Sequence, residues 1–385
     1  MKKKIFIAVL IILLILILIF VGLFIVDTKR MKEGKPVVFS TWGRNYSING
    51  VDSGNNTNGN QQTDEIQFAL TMDDKIDKDT AWCGTFQLIW NDLKNDLAKQ
   101  DIVFNEYPDM EVVKNLNKGS FTTDDISENS YYKTYGHPTI ELKNQIENAI
   151  KEKFNETSDI LDDFQWSDSN LSDYILYCML KKEFKFPVAF KTLESGKFAN
   201  KYNDIEYFGL EKNSEEQIRS QVEVLYYKND DEFVVKLKTE QNDEVILAKG
   251  IDGNTFNEIY NNIVENEKQY DGDRTFTASD ELKVPKLDFD EKRRLNEVEN
   301  KAFLFSDGTT YKIGKALQTI EFELDEEGGK IKSEAGMSVE MTAMLPEEVK
   351  ERKFYLDDEF TIFLKETDKD IPYFAAMIND ITKFE

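Results

Sequence analysis

The side chains that most often carry out covalent chemistry are scarce in this sequence. Its 385 residues include one histidine, His137, and two cysteines, Cys83 and Cys178. A Ser/His/Asp or Cys/His hydrolase would have to rely on His137, which stands before a proline and is typical of a loop. Three such residues cannot form a His/Cys zinc site or a disulfide framework. We therefore expect no enzymatic activity, no metal and no cofactor.

The two cysteines occur in apolar surroundings. Cys83 follows Trp82, and Cys178 follows Tyr177. Free cysteine in such a context usually packs as a small apolar side chain. A disulfide between the two is the alternative if the domain lies outside the cell.

Acidic side chains dominate the charge of the chain, with 73 Asp+Glu against 48 Lys+Arg and a formal charge of −25. A nucleic acid would be repelled, so this class of partner is excluded. With so many carboxylates, a glycosidase pair cannot be singled out. The neighbours Asp73 and Asp74, and also Asp271 and Asp273, lack the ligand spacing of a calcium loop.

Apolar periodicity predicts helices in the first part of the chain and strands afterwards. Two helical faces recur, at Phe86, Ile89, Trp90 and Leu93 and at Leu142, Ile146, Ile150 and Phe154. The strands that we predict are residues 174–180, 222–227, 233–237, 245–247, 320–324 and 361–364. A further helix is expected over residues 256–264, capped by Asn254 or Thr255. With 40% hydrophobic residues to form a core, this order predicts an α+β fold.

One segment is apolar and long enough to cross a lipid bilayer. From Ile5 to Val26 the chain contains only Ile, Leu, Val, Phe, Ala and Gly, behind three lysines. As a helix it would rise about 33 Å, which spans a hydrocarbon core. A cleaved signal peptide would have a shorter apolar core and small residues at its end. We predict a single-pass anchor in the cell membrane with the C-terminal domain extracytoplasmic, although basic residues on both sides make the charge difference small.

A polar stretch separates this anchor from the rest of the chain. Residues 45–63 read NYSINGVDSGNNTNGNQQT, with almost nothing to bury, as in a tether. We divide the chain into a cytoplasmic stub and anchor (1–30), an extracytoplasmic juxtamembrane segment and linker (31–64), and one domain (65–385).

The most specific pattern lies in the last third of the chain. In the string LQTIEFEL at residues 317–324, the apolar residues from Ile320 to Leu324 alternate with polar ones as in a strand. The string leads into Glu326, Glu327, Gly328 and Gly329. A polar segment follows, then KFYLDDEFTIFLKE, and finally IPYFAAMIND close to residue 385. Two glycines after a strand are usually a turn, so the order of the three strings is what is informative.

This order resembles the serpin family. In that family a strand leads into a Glu-Glu-Gly-Thr hinge, an exposed reactive loop, a Phe-x-Ala-Asp-x-Pro-Phe segment and a closing strand. Glu326, Glu327 and Gly328 match the hinge. Further matches are Phe184, Phe190, Val284, Pro285, Lys286, Leu287, Phe354, Asp357, Phe360, Phe363, Phe374, Ala376 and Ile378, with Phe186 where a Trp is usual. The resemblance covers about residues 170–385, and the family's Asn-x-x-x-Ser-Pro helix start is not recognisable upstream.

The resemblance implies a serpin-like fold, with helices, large mixed β-sheets and an exposed reactive-centre-type loop, here preceded by one transmembrane helix. It also implies a sheet into which the cleaved loop inserts as a new strand. Strand alternation would bury Gly329, Ile331, Ser333 and Ala335 and expose Lys330, Lys332, Glu334 and Gly336. The buried set is small or apolar, but Ile331 is bulky where inhibitory members have Ala. We therefore expect insertion to be slow.

Two functions are compatible with this resemblance. In the first, a serine (or cysteine) protease attacks the loop and is trapped as an acyl-enzyme. Family spacing places the scissile bond between Thr342 and Ala343, which suits elastase-like or chymotrypsin-like enzymes. Because the loop is longer than usual, cleavage beyond Leu345, at Lys350 or Arg352, stays open. In the second, the fold is a non-inhibitory surface binding or interaction module.

Overall fold

The computed structural model describes residues 65–77, 79–329 and 351–384. Strands make up most of this part of the chain, and in chain order they are β1 (Gln67–Phe68), β2 (Thr80–Cys83), β3 (Tyr131–Gly136), β4 (Ile175–Leu180), β5 (Phe184–Lys185), β6 (Lys191–Phe198), β7 (Tyr202–Leu210), β8 (Val222–Asn229), β9 (Glu232–Lys238), β10 (Asp243–Lys249), β11 (Glu281–Pro285), β12 (Leu287–Arg294), β13 (Ala302–Leu304), β14 (Thr310–Lys312), β15 (Leu317–Leu324), β16 (Gly328–Gly329), β17 (Lys353–Tyr355), β18 (Phe360–Glu366) and β19 (Phe374–Ile378).

The helices are fewer and lie mostly in the first half of the described residues. They are α1 (Thr85–Asp92), which continues into a π-helical turn (Leu93–Ala98), α2 (Glu111–Lys118), α3 (Ile140–Phe154), α4 (Glu216–Arg219) and α5 (Phe256–Gln269). Short 3-10 turns occupy Thr123–Asp125, Glu128–Ser130, Leu161–Asp163 and Ile381–Lys383.

The largest sheet has seven strands in the order β1-β2-β19-β18-β10-β9-β8. Its central strands are apolar on both faces, as expected of strands covered on both sides. Helix α5 packs on one face, where Phe256 and Tyr260 meet the ring of Phe363 with centroids 6.1 and 5.4 Å apart. The Thr255 hydroxyl caps this helix by accepting the N–H of Glu258, as one of the two predicted caps would.

A four-stranded sheet, in the order β17-β11-β7-β6, packs against the seven-stranded one. Phe354 on β17 is fully buried between them, with its ring 5.2 Å from Phe233 and 5.3 Å from Tyr227. Both sheets contain one parallel pair, β1 with β2 and β11 with β17. They are therefore mixed sheets, as the sequence led us to expect.

The remaining strands form four two-stranded sheets: β3 with β4, β12 with β15, β5 with β16, and β13 with β14. In β15 the residues Ile320, Phe322 and Leu324 are buried, which confirms the alternation predicted for this strand.

The α+β class predicted from the sequence is confirmed, but the division into a helical first part and a β-rich second part is incomplete. Strands β2 and β3 lie within the part that we expected to be helical. No helix among the described residues is long and apolar enough to cross a membrane. The predicted anchor from Ile5 to Val26 lies outside those residues, and the described chain from Glu65 onward forms one compact unit.

Candidate functional site

Two of the two-stranded sheets, β3–β4 and β12–β15, are not paired with each other in the part of the chain that the structure describes, although β4 and β15 both contact the start of α1. Among the described residues, β4 pairs only with β3 and β15 pairs only with β12, and no backbone hydrogen bond joins β4 to β15. An edge strand presents every second N–H and C=O to whatever lies beside it. We call the region between β4 and β15 the strand slot, and its two ends, its floor and its cover are formed as follows.

The upper end of the strand slot is closed by β5 and β16. Gly328 pairs with Lys185 and Gly329 with Phe184 in an antiparallel register. Gly328 has φ of +133°, and a Cβ there would lie 2.4 Å from the carbonyl oxygen of Phe184. Only glycine fits this close approach of two backbones.

A tight turn joins β15 to β16. The N–H of Asp325 donates to the carbonyl of Gly328 over 3.0 Å. The Asp325 carboxylate accepts the N–H of Glu327 at 2.8 Å and of Gly328 at 3.2 Å. These bonds reverse the chain, so that β16 runs opposite to β15.

Glu326 fixes this turn to two other strands. Its carboxylate lies 2.8 Å from Nζ of Lys286, at the junction of β11 and β12, and accepts the hydroxyl of Thr192 on β6 at 2.9 Å. Burial alone would raise the pKa of Glu326, but these two partners hold it below its ordinary value. Glu326 is therefore ionised at neutral pH and tied on both sides.

Three buried phenylalanines pack behind this end of the strand slot. The rings of Phe184 and Phe186 lie 6.2 Å apart, and those of Phe186 and Phe190 lie 4.8 Å apart edge to face. The backbone N–H groups of Phe186 and Phe190 donate to the carbonyls of Glu327 and Glu326. The residues singled out from sequence on both sides of the hinge are thus brought together.

The lower end of the strand slot is closed by an aromatic cluster. Tyr174, just before β4, lies 6.4 Å from Phe305 and 6.1 Å from Tyr311, measured between ring centroids. Phe305 directly follows β13 and Tyr311 lies in β14, so both belong to the β13–β14 hairpin that precedes β15, and their rings stack at 4.0 Å. The two halves are therefore joined at both ends, and among the described residues no backbone hydrogen bond joins β4 to β15 between these ends.

The floor of the strand slot is the start of α1. Gln318 on β15 is buried, and its Nε2 donates to the carbonyl of Cys83 at 3.2 Å and to Oγ1 of Thr85 at 3.0 Å. Cys83 and Cys178 are free thiols, and burial raises the pKa of each. Both thiols remain protonated and pack as small apolar side chains, as the sequence led us to expect for free cysteines.

Helix α3 and the turn after it cover the outer side. Ile146 and Ile150 pack on Tyr177, which points outward from β4. Beyond the helix, Lys292 on β12 donates to the carbonyl of Asp159 at 2.7 Å and pairs with Asp163. The cover therefore contacts both halves.

The outer face of the β12–β15 pair is acidic. The register places Asp288 opposite Glu323 and Asp290 opposite Glu321. Farther along the same face of β12 lie Lys292 and Arg294, so the acidic residues occupy only one part of it.

The chain re-enters the described structure at a buried arginine. The guanidinium of Arg352 binds the buried carboxylate of Asp280 through two contacts, of 3.0 and 2.7 Å, and donates to the carbonyls of Asp273 and Thr275. A protease cannot bind a side chain that is held in this way. Cleavage at Arg352, which the sequence left open, is therefore excluded for the folded protein.

Several predicted site residues lie outside the described parts of the chain. Ile331, Ser333 and Ala335 of the predicted insert, the candidate scissile residues Thr342 and Ala343, and Lys350 are in this group. Their assignment stays a prediction.

His137 has structural contacts only. Its Nδ1 lies 2.8 Å from the carbonyl oxygen of Asp173, and its ring stacks on Tyr174 at 4.7 Å. Among residues 65–77, 79–329 and 351–384, no group of His, Cys, Asp and Glu side chains is arranged to hold a metal ion.

Comparison with known proteins gives low similarity. No family model and no curated protein matches the chain. Among solved structures, a serpin of the insect Tenebrio molitor, Serpin48, has a TM-score of 0.39 at 12% identity, covering 66% of this chain and 77% of its own. Human thyroxine-binding globulin in complex with its hormone has a TM-score of 0.38 at 12% identity, with the same two coverages. Human kallistatin has a TM-score of 0.38 at 13% identity, covering 63% of this chain and 64% of its own. Because these scores are low, the family assignment rests on the chain's own residues and pairings and stays a proposal.

Proposed function

We propose that this chain is a serpin-like protein whose segment after Gly329 inserts as a strand between β4 and β15, and that it inhibits a serine or cysteine protease by this insertion. The observation that carries the proposal is the strand slot itself. Among the described residues β4 and β15 are not paired with each other, β5 and β16 join them at one end, and the turn at Asp325 makes β16 antiparallel to β15. Addition of a strand to a free sheet edge is an established mode of recognition.

The pairing of the turn defines a register for the insert on the β15 side. Continuing from the contact of Asp325 with Gly328 places Ile331 opposite Phe322, Ser333 opposite Ile320 and Ala335 opposite Gln318. Residues opposite each other in an antiparallel pair share a face. Phe322, Ile320 and Gln318 are buried, so this register buries the same set that alternation predicted.

The β4 side gives the same face. Continuing from the pairing of Gly329 with Phe184 places Ser333 opposite Leu180 and Ala335 opposite Cys178. Leu180 and Cys178 pack against the main core. Both neighbouring strands therefore require small or apolar side chains at positions 333 and 335.

The outward positions of the insert complement the acidic face of the β12–β15 pair. The register places Lys330 opposite Glu323 and Lys332 opposite Glu321. Each lysine would lie beside one of the two like-charged pairs described above, and opposite charges across a pair contribute roughly 0.2–1 kcal/mol. This match supports insertion in this register.

Insertion after cleavage provides the inhibition. The protease nucleophile attacks the carbonyl of Thr342, the amine of Ala343 leaves, and the acyl-enzyme forms. If the insert enters the strand slot before water hydrolyses the ester or thioester of the acyl-enzyme, the protease is moved away from the site where it first bound the loop and stays covalently trapped. Ile331 slows insertion relative to deacylation, because its bulky side chain has to enter the strand slot beside Phe322.

A second function is supported by the same residue. If Ile331 delays insertion beyond deacylation, the loop is an ordinary substrate, and the fold acts as a non-inhibitory surface binding or interaction module.

In either case the domain is held at the cell membrane by the span from Ile5 to Val26, with the domain outside. Carbonate extraction of membranes and protease shaving of intact cells test the anchor and its orientation.

The test of inhibition uses the full chain in detergent with elastase-like, chymotrypsin-like, trypsin-like and papain-like proteases. The proposal predicts a covalent adduct on denaturing gels, with a mass close to the sum of both proteins, and a new N-terminus at Ala343. Nicking between residues 337 and 348 by every active protease, with no adduct, would exclude inhibition and favour the binding module.

A further inference from the structure

A buried ionic cluster lies next to the upper end of the strand slot. Lys182 stands between β4 and β5, and its Nζ is 2.7 Å from Oδ1 of Asp243 and 2.6 Å from Oε1 of Glu366. The side chain of Lys182 is 11% exposed, that of Asp243 3%, and that of Glu366 is completely buried. Asp243 begins β10, Glu366 ends β18, and the two are directly opposite in the seven-stranded sheet.

Further groups complete the cluster. The Tyr373 hydroxyl donates to Asp243 at 3.1 Å, and the Lys182 ammonium lies 5.2 Å from the centre of the Tyr373 ring. Glu366 accepts the backbone N–H of Ser127 at 3.0 Å and its hydroxyl at 2.6 Å. Burial alone would raise the pKa of Glu366, but Lys182 and Ser127 hold it below its ordinary value. Glu366 is therefore a fixed anion with Lys182 as its counter-ion.

The cluster connects both strands of one half of the strand slot to the same point. Lys182 follows the end of β4, and Ser127 precedes the start of β3. Both bind Glu366 on the seven-stranded sheet. The β3–β4 pair cannot shift away from β15 at this end without separating Lys182 from two buried carboxylates.

We propose that Lys182 is a positioning residue that holds the β3–β4 pair on the seven-stranded sheet and thereby limits how readily the strand slot opens. This inference rests on the proposed function for the role of the slot, but the tie itself can be measured separately. Loss of one partner from a buried ion pair is strongly unfavourable, since it leaves an uncompensated charge. In Lys182→Met, movement of the β3–β4 pair away from the seven-stranded sheet would let water reach the unpaired carboxylates of Asp243 and Glu366.

The chain provides a matched control in the preceding residue. Lys181 also follows β4 and also makes two ion pairs, with Glu156 and Glu183, each at 2.8 Å. Its side chain is 30% exposed and its partners are surface carboxylates. Ion pairs between exposed side chains contribute little to stability. Lys181→Met therefore removes the same charge as Lys182→Met without loosening β4.

The first measurement is amide hydrogen exchange of the uncleaved full chain in detergent. For Lys182→Met we expect exchange in peptides that cover β4 to be roughly tenfold faster or more, as for local opening. Lys181→Met and the conservative Lys182→Arg should stay close to the parent protein. If folded Lys182→Met shows unchanged hydrogen exchange in β4, Lys182 does not hold the β3–β4 pair on the seven-stranded sheet. If that variant does not fold, Glu366→Gln takes its place under the same criterion.

The second measurement is the rate at which a fluorescent synthetic peptide with the sequence of residues 329–341 is taken up. We expect uptake by Lys182→Met to be roughly tenfold faster, in line with the exchange. Faster exchange with an unchanged uptake rate would overturn the link between Lys182 and the slot. If the parent protein takes up no peptide at all, the proposed function fails, while the exchange result still decides whether Lys182 holds the strand.

Discussion

At the scale of single residues, the hinge depends on one ion pair whose partners are far apart in the sequence. Glu326 and Lys286 are both half-buried, and the pair fixes the turn from which the insert would start. The sequence indicated both residues through the serpin resemblance, as members of two separate strings. Their contact could not be predicted, because it requires the turn after β15 to fold back over the junction of β11 and β12.

Charge reversal should show how much the Glu326–Lys286 ion pair contributes to the free energy of unfolding. Glu326→Lys places two ammonium groups together, and we expect a loss of about 1–2 kcal/mol in the free energy of unfolding. The double variant Glu326→Lys with Lys286→Glu restores the opposite charges and should recover most of the loss. Denaturant titration of the four proteins in the cycle measures it, and equal losses in the single and double variants would contradict the pairing.

The pair also predicts a pH dependence. The pKa of Glu326 is lower in the folded protein than its ordinary value of about 4.3. Its contribution to stability is therefore complete above that value and is lost as the pH falls through the folded pKa. Between about pH 5 and pH 3 the parent protein should lose more stability than Glu326→Gln does. Parallel curves for the two proteins would contradict this assignment.

Arg352 should contribute more to the stability of the fold than an exposed basic residue does. Arg352→Met leaves Asp280 as a buried, unpaired carboxylate, and we expect a loss of about 3–5 kcal/mol. Its neighbour Lys353, which is partly exposed and makes no ion pair among the described residues, is the matched control, with an expected loss of less than about 1 kcal/mol for Lys353→Met. Thermal and denaturant unfolding of both variants measure the difference.

At the scale of elements, local patterning identified most strands and did not reveal how they pair. The alternation of Ile320, Phe322 and Leu324 and the apolar runs of β9, β10 and β18 are properties of single segments. That β4 and β15 end as separate edges depends on contacts between distant segments, such as Tyr174 with Tyr311 and Gly329 with Phe184. No period within one strand contains this information.

The first helical face predicted from the sequence is confirmed as α1, which begins at Thr85 after Gly84 and contains Phe86, Ile89 and Trp90. The contacts of the segment before it were not predictable. Asp79 is buried and accepts the backbone N–H groups of Asn379 and Asp380 at 2.8 and 2.7 Å. Asp79, just before β2, is therefore bound to the residues that follow β19, and no local pattern contains this contact between distant segments.

The register of the insert gives a prediction with a neighbouring control. Ala335→Arg would place a cation in the buried row between Gln318 and Cys178, so insertion should be abolished while cleavage continues. Glu334→Arg makes a charge change at the outward position beside it, and insertion should persist. Mass spectrometry establishes that both variants are nicked, and peptide exchange in β15 after nicking should be protected only in Glu334→Arg. Protection in both would mean that the register is wrong.

At the scale of the whole molecule, the chain combines a strongly acidic domain with a predicted anchor. The composition excluded nucleic acid, and the resemblance suggested a protease partner, but neither identifies the protease. If the insert enters the strand slot as proposed, the uncleaved protein stores free energy in two edges that become paired only after cleavage. The uncleaved protein should then be less stable than its cleaved form.

The most direct test is a thermal unfolding curve of the full chain before and after a single cut between residues 337 and 348. Insertion would pair both edges of the strand slot, and the account predicts that the Tm rises by roughly 10 °C or more, equivalent to several kcal/mol for a domain of this size. A Tm that stays the same or falls after the cut would show that no strand enters between β4 and β15, and would contradict the account.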